Sequence, residues 1–334
     1  MEKIDRQNNC LSLFKLLAAI QVMYGHFCAY VGFSGPDAFD IMIGIFQGVP
    51  IFFTFSGLLI WFSFERSADR ESYGKYLRKR FWRIYPELWV AVAVEVVCIL
   101  ILYRGWNVRD MALFTVAQST VFQFWTPDSL RGFGCGTPNG ALWTMCVTVQ
   151  FYIIARFLYK ILRDKKWYVW LVAVAASVLL SKGGRVATDL LGIEIIRKLY
   201  SQTIIYYLWL FLLGMAAGRF FDRLLPICKK FWIIFIPIGT YLGVTEYDIM
   251  LTYGVFRIIL ILLGLLGLAY TFPKLKLKKD ISYGLFIYHM IVANVMMTFG
   301  WTGGLHYVLI AMAISCLLAY LSTITIGAYC AKKK

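Results

Sequence analysis

The chain has 334 residues, of which 60% are hydrophobic and 17% aromatic, with a formal net charge of +16. Soluble domains are roughly 45–50% apolar; here the excess is gathered into blocks of the roughly 20 residues that a bilayer span needs, which excludes a soluble protein. The basic residues lie in short clusters between those blocks, as in cytoplasmic loops, rather than on one water-exposed face as nucleic-acid binding requires.

An all-α polytopic membrane protein is therefore expected, with one domain over residues 1–334. In chain order, ten spans are predicted near 11–33, 41–63, 84–103, 141–160, 167–181, 203–219, 230–245, 249–271, 281–300 and 305–328. The first has a basic flank but no small-residue cleavage site, so it reads as a retained helix rather than a signal peptide. A further apolar piece, 111–125, is interrupted by Gln118, Ser119 and Gln123 and reads as an interfacial or re-entrant helix. With the N-terminus inside, the inside segments carry 25 of the 34 Lys and Arg residues and the outside loops carry 7. An eleventh span at 111–125 would reverse every later loop and destroy that asymmetry, so both termini are expected in the cytoplasm. Two outside loops are long: 104–140, ending in GFGCGTPNG, and 182–202. The eight cysteines include no CxxC and suggest neither a disulfide framework nor a metal site.

The residues able to do chemistry follow the same order. His26 lies within the first span, about 22 Å along it at 1.5 Å per residue. Ionisable groups inside spans usually face a cavity or a partner; the plainer alternative is a neutral imidazole bonded to a neighbouring helix. Lys15, eleven residues earlier, falls on the same helix face about three turns away; as a plain alternative it snorkels to the inner interface. Ser56 and Gly57 form a small pair in the second span, suited to close helix packing. The stretch YLRKRFWRIYP, 76–86, carries Arg78, Lys79, Arg80 and Arg83 at the inner mouth of the third span, with Trp82 and Tyr85 interleaved. Arg80 and Arg83 share a helix face, and arginine forks match phosphate oxygens. Such a mouth suits a ligand with phosphates and an aromatic base. Glu95 lies within the third span, Trp106 and Trp125 lie in the first long outside loop, and Ser282 and His289 lie at and within the ninth span. Ser282 also reads as an N-cap, and His289 as a packing or positioning residue.

Five of these stretches, in this order, resemble motifs of the acyltransferase 3 family of integral membrane acyltransferases. Gly25-His26 resembles the end of that family's opening helix. FFTFSGLLI, with Ser56, resembles its FFxxSGxLI pattern. RKRFWRIYP resembles RxxR-x-YP, with Arg80, Arg83, Tyr85 and Pro86 matching. LWTMCVTVQFY, with Thr148 and Gln150, resembles LWSLxxExQFY, and ISYGLFIYHM resembles SYxxYxxH. The matches run over almost the whole chain. Two positions depart from the pattern: Lys15 stands where the family usually has Arg, and Thr148 stands where it has Glu. Glu95, in the third span, is a candidate to stand in for that carboxylate.

The resemblance implies a membrane O-acyltransferase, most often an O-acetyltransferase, of the inner membrane. It implies acetyl-CoA or another acyl-CoA as donor substrate, with no bound cofactor. The implied partners are a cell-surface polysaccharide or lipid-linked glycan as acceptor and membrane lipid; no nucleic acid is implied. His26 would take the proton of the acceptor hydroxyl or carry the acyl group itself. Arg80 and Arg83, with Lys15, would hold the donor, and Trp106 and Trp125 would stack on sugar rings. Competing readings are a transporter or flippase of a glycan or lipid-linked intermediate, for which no inverted repeat is seen, and an acyltransferase acting on lipids.

Overall fold

The computed structural model describes residues 5–32, 46–67, 70–245 and 253–332. Among these residues every regular element is helical, and eight helices are long and apolar enough to cross a membrane. A bilayer offers the backbone no hydrogen-bond partners, so a spanning chain satisfies its own, and the helix does this within one segment. The chain is an all-α polytopic membrane protein. The first residues of the predicted spans 41–63 and 249–271, the end of 11–33 and the last two lysines lie outside the described residues.

The chain divides into two interleaved compact units. The first comprises Met1–Ala18, Ile45–Tyr73 and Gln150–Lys278; the second comprises Ala19–Gly44, Gly74–Val149 and Lys279–Lys334. Three helices, α1 (Leu11–Val31), α5 (Trp143–Leu162) and, by its first residue Tyr73 alone, the helix Tyr73–Leu102, contribute residues to both.

In the first unit α2 (Gly48–Ser67) packs along α8 (Ile204–Arg219). Their backbones approach so closely that a Cβ on Gly57 would run into the Phe211 carbonyl, and one on Gly214 into that of Thr54. Glycine is what this seam requires, the small-residue packing expected of spans. Aromatic rings fill the space beside it: Phe151 stacks on Phe211 at 4.5 Å, and Trp61 packs on Tyr159 at 4.7 Å and Trp170 at 5.2 Å.

Helix α6 (Trp167–Leu191) is longer than the expected 167–181, since it continues through Lys182, Gly183, Gly184 and Arg185. Hydropathy falls at Ser181, but the backbone stays helical to Leu191, and side chains of the following segment tie to it. Tyr200, on the short α7 (Glu194–Tyr200), donates to the Leu180 carbonyl at 2.9 Å, and Arg185 donates to the Tyr206 hydroxyl at 3.1 Å. The following helix, α9 (Phe221–Thr245), also begins earlier than the predicted 230, running through Pro226 and the Lys229-Lys230 pair. It packs against α10 (Val255–Thr271).

In the second unit α3 (Tyr73–Leu102) begins eleven residues before the predicted span. The basic cluster is thus the first turns of the same helix rather than a loop, and Pro86 lies within it. Helix α4 (Val108–Ser119) is the interrupted apolar piece, and at 12 residues it is too short to cross. It folds back along α3: Tyr85 donates to the Thr120 carbonyl at 3.2 Å and Trp89 to the Ser119 carbonyl at 2.9 Å. These two side chains serve the carbonyls that a helix end leaves open. The chain then returns, since the Tyr103 hydroxyl donates to the Ser129 carbonyl at 3.0 Å. Ile99, Met111, Phe114, Leu130 and Phe133 form the core of this hairpin. Residues 104–130 therefore fold back along α3 as a hairpin. Helices α11 (Ser282–Thr298) and α12 (Leu305–Ser322) complete the unit, and a π-turn (Thr323–Gly327) continues α12 into α13 (Ala328–Ala331).

Candidate active site

Two imidazoles meet in the second unit. The Nδ1 atom of His26, on α1, lies 2.7 Å from Nε2 of His289, on α11. The ring planes differ by only 12° and the centroids are 5.0 Å apart. That separation exceeds the N···N distance by about two ring radii. The rings therefore lie edge to edge in nearly one plane, in line for an N–H···N bond, rather than face to face. The other nitrogen of His289, Nδ1, lies 3.0 Å from the Leu285 carbonyl one turn earlier. His289 is fully buried, with Phe27 and Phe286 presenting rings at 6.2 and 6.1 Å, whereas His26 keeps part of its surface accessible.

Backbone ties fix this meeting. The Gly303 amide donates to the Val31 carbonyl at 2.7 Å, joining the end of α1 to the turn after α11. On the other side, the glycine-rich loop 134–139 that follows the α4 hairpin is clamped by Asn294, five residues beyond His289. Asn294 Oδ1 accepts the Cys135 amide at 2.8 Å, and its Nδ2 donates to the Pro138 carbonyl at 2.7 Å and the Thr137 carbonyl at 3.3 Å. Asn139 returns a hydrogen bond to the Ile287 carbonyl at 2.9 Å. Gly134, at φ +55°, lies so close that a Cβ would strike the Asn294 side chain. Helix α11 thus holds the second imidazole on one face and, about 140° round its axis, the loop. Asn294 went unnoticed in the sequence; the only signal was an amide inside an apolar span.

The arginine mouth is referenced to the same helix. Tyr283, in the first turn of α11, donates to the Ile84 carbonyl of α3 at 2.9 Å, one residue after Arg83. His289 lies six residues further along α11, about 9 Å at 1.5 Å per residue. Arg80 is half-buried, with its guanidinium over the Tyr76 ring at 5.2 Å, and Arg83 is exposed. One turn beyond, the buried Glu87 carboxylate accepts the Ser322 hydroxyl at 2.7 Å, another pair the sequence reading missed.

The remaining predicted residues take separate places. Glu95 is fully buried, and neither carboxyl oxygen has a hydrogen-bond partner among the described residues. Thr148 donates to the Thr144 carbonyl of its own helix at 2.8 Å, so no hydrogen bond joins it to Glu95. Gln150 bridges the start of α8, donating to the Gln202 carbonyl and accepting the Ile204 amide, both at 2.8 Å. Ser56 lies beside Gly57 on α2 and is half-buried. Ser282 is the first residue of α11 rather than its cap. Asp280 accepts both its amide, at 3.2 Å, and its hydroxyl, at 2.5 Å, because a carboxylate two residues back closes an Asx-turn. Trp106 precedes the N-cap of α4 and Trp125 follows its C-terminal turn, where Gln118 donates to its carbonyl at 3.2 Å. The two tryptophans therefore lie at opposite ends of a helix about 18 Å long and do not form one platform. Lys15, in the first unit, lines a cavity of about 850 Å³ with Asp5, Arg6, Glu65, Arg66 and Lys276. Arg6 is committed there to Glu65 and to Asp222.

A polytopic helical membrane protein with an imidazole pair, one member buried and one accessible, and an arginine pair on one helix face defines the class. The acyltransferase 3 model, described as an acyltransferase domain, matches residues 8–326, and the chain belongs to that family. It is a multi-pass membrane acyltransferase. It is similar to nodulation protein 10 of Rhizobium leguminosarum bv. viciae, 29% identical over 90% of this chain and 87% of that one. It is also similar to an O-acetyl transferase of Shigella phage Sf6, 26% identical over 87% of this chain and 86% of that one. No solved structure matches it significantly.

Proposed function

We propose that this membrane O-acyltransferase moves an acetyl group from acetyl-CoA in the cytoplasm to a hydroxyl of an extracytoplasmic polysaccharide or lipid-linked glycan. It does so from the inner membrane, in a single domain with ten spans and both termini cytoplasmic. The observation that carries the reading is the half-buried His26 imidazole, held in line by His289 and accessible on a helix that the family's motif marks. The name of the phage relative supports acetyl as the group transferred.

In this reading Arg80 and Arg83 hold the donor phosphates. His26 takes the proton of the acceptor hydroxyl as its oxygen attacks the thioester carbonyl. The new C–O bond forms, the C–S bond breaks, and the imidazolium returns the proton to the departing CoA thiolate. Trp106, at the outer end of α4, offers a ring to the sugar. General-base catalysis contributes roughly 10²–10⁴-fold, so His26→Gln, which cannot take up the proton, should lose about that much. The test supplies radiolabelled acetyl-CoA to membranes carrying wild type or variant and counts label in the extracted carbohydrate. Near wild-type labelling by His26→Gln at equal expression would remove His26 from the chemistry. Label in lipid instead of carbohydrate would replace the acceptor class.

A further inference from the structure

We infer that His289 is a positioning residue: it accepts the Nδ1 proton of His26 and so fixes that ring in the tautomer whose Nε2 is bare. The inference rests on the reading of His26 as the base and adds which atom is basic and what selects it.

One group in this chain of contacts has no choice of role. A backbone carbonyl only accepts. The Leu285 oxygen, 3.0 Å from His289 Nδ1, therefore requires the His289 proton to be on Nδ1. With one proton per ring, His289 Nε2 is then a lone pair. That lone pair faces His26 Nδ1 at 2.7 Å, in the plane of both rings, so the proton between them belongs to His26. Once the His26 proton is on Nδ1, its Nε2 is left to accept another. One backbone carbonyl thus sets two tautomers in succession, the dependence of one ring nitrogen on its partner's hydrogen bond that is general for histidine. Without His289, the His26 side chain would pass to the Nε2–H form that imidazole side chains favour in water. In that form the basic atom points to the wrong place. During turnover the bond persists, because the imidazolium formed by proton uptake at Nε2 still donates from Nδ1.

The burial pattern agrees. His289, the member with no accessible surface, is the one whose two nitrogens are both used inside the protein, and His26 is the member an acceptor can reach.

The test is nitrogen NMR of ¹⁵N-histidine-labelled protein in nanodiscs under mildly alkaline conditions. The chain has three histidines, so single substitutions at His26, His289 and His306 assign every signal. Wild-type His26 should show a protonated Nδ1 and a bare Nε2. In His289→Gln the amide oxygen reaches the place of the lost Nε2, and His26 should keep its tautomer. In His289→Asn the amide is too short to reach, and His26 should pass to Nε2–H. Labelling from radiolabelled acetyl-CoA should follow the same order: His289→Gln within about tenfold of wild type, His289→Asn down about 100-fold or more. The loss should fall on kcat, with KM for acetyl-CoA unchanged. A role in packing alone would move the two variants together. An Nε2–H tautomer of His26 in the wild type, or one tautomer in all three proteins, overturns the inference even if His26→Gln is inactive. An active His26→Gln instead overturns the base reading on which it rests.

Discussion

The α2–α8 seam of the first unit and helix α11 of the second are both buried, yet for different reasons. Between α2 and α8 the contacts are glycine against backbone and ring against ring; their specificity is one of shape. On α11 the buried groups include Ser282, His289 and Asn294, and each has a named hydrogen-bond partner. Burying a polar group without a partner costs several kcal/mol in an apolar medium, so a helix that keeps such groups must place a matching group opposite each one. Shape alone holds a fold together, whereas partnered polar groups also hold side chains in one orientation. The first seam should therefore fail by unfolding, and the second by losing activity while the fold survives.

The sharpest way to break the comparison is Gly214→Leu. Its side chain would have to displace the Thr54 carbonyl, which belongs to a helix backbone that cannot give. Overpacking of side chains alone costs about 1–3 kcal/mol, and a clash with main chain on the scale shown here should cost more. The expected outcome is loss of monodisperse protein on size exclusion after detergent extraction. A Gly214→Leu variant recovered at wild-type yield and melting temperature would show that the seam is looser than its geometry indicates.

Next comes the arginine pair, where function should change without the fold. Charge-assisted hydrogen bonds contribute about 1.5–3 kcal/mol each, less for the exposed Arg83. Arg80→Gln with Arg83→Gln should thus raise KM for acetyl-CoA by roughly 10- to 100-fold and leave kcat and melting temperature nearly unchanged, the signature of lost ground-state binding. A double variant with unaltered acetyl-CoA affinity would move the donor phosphates elsewhere, and the Lys15 cavity would be the first place to look.

These two regions also differ in how far the sequence revealed them. Apolar block length exposed the spans, and Ser56-Gly57 already pointed to close packing, because small residues in an apolar run have one common use. The polar interruption by Gln118 and Ser119 was enough to keep 111–125 from being counted as a span. On α11 the sequence displayed His289 and Ser282 but not their partners. Periodicity tells which residues share a face of one helix; it does not tell how far a neighbouring helix is shifted along it. The His26–His289 bond joins positions 263 residues apart, and the Asn294 clamp reaches a loop more than 150 residues earlier. Both depend on that shift. Helix ends were missed at α3, α6 and α9 for a related reason: hydropathy marks where the membrane ends, while the helix continues into charged turns whose backbone is satisfied.

Asn294→Asp tests the polar side of the comparison with almost no change of shape. Oδ1 still accepts the Cys135 amide, but the donor to the Pro138 and Thr137 carbonyls becomes an oxygen facing oxygens. Leaving buried acceptors unmet costs about 1–3 kcal/mol. The loop 134–139 should become more accessible to thiol labelling at Cys135, with transfer activity reduced and the α2–α8 seam untouched. Unchanged Cys135 reactivity and activity would mean that the clamp does not hold the loop.

The smallest effect is expected at the start of α4, where a single cap replaces a network. Asn107 Oδ1 accepts the Asp110 amide at 2.9 Å and closes the first turn of α4. Asp110 in turn accepts the Ser129 hydroxyl at 2.6 Å and the Asn107 side chain at 3.1 Å, and these bonds hold its carboxyl below the usual carboxylate range. The site is exposed, so the cap and not the charge should carry most of the stabilisation. Removing an Asn cap costs about 1 kcal/mol, within a range of 0.5–2, which corresponds to roughly fivefold in an opening equilibrium. Amide exchange over residues 108–119 should accordingly quicken by about that factor in Asn107→Ala, while Asn107→Ser, which restores a capping oxygen, should stay close to wild type. Exchange on α11 should not respond in either variant, because its hydrogen bonds do not pass through the cap. If Asn107→Ala and Asn107→Ser quickened α4 equally, the hairpin would be held by its apolar core of Ile99, Met111 and Phe114 alone, and it would belong with the shape-packed seam rather than with α11.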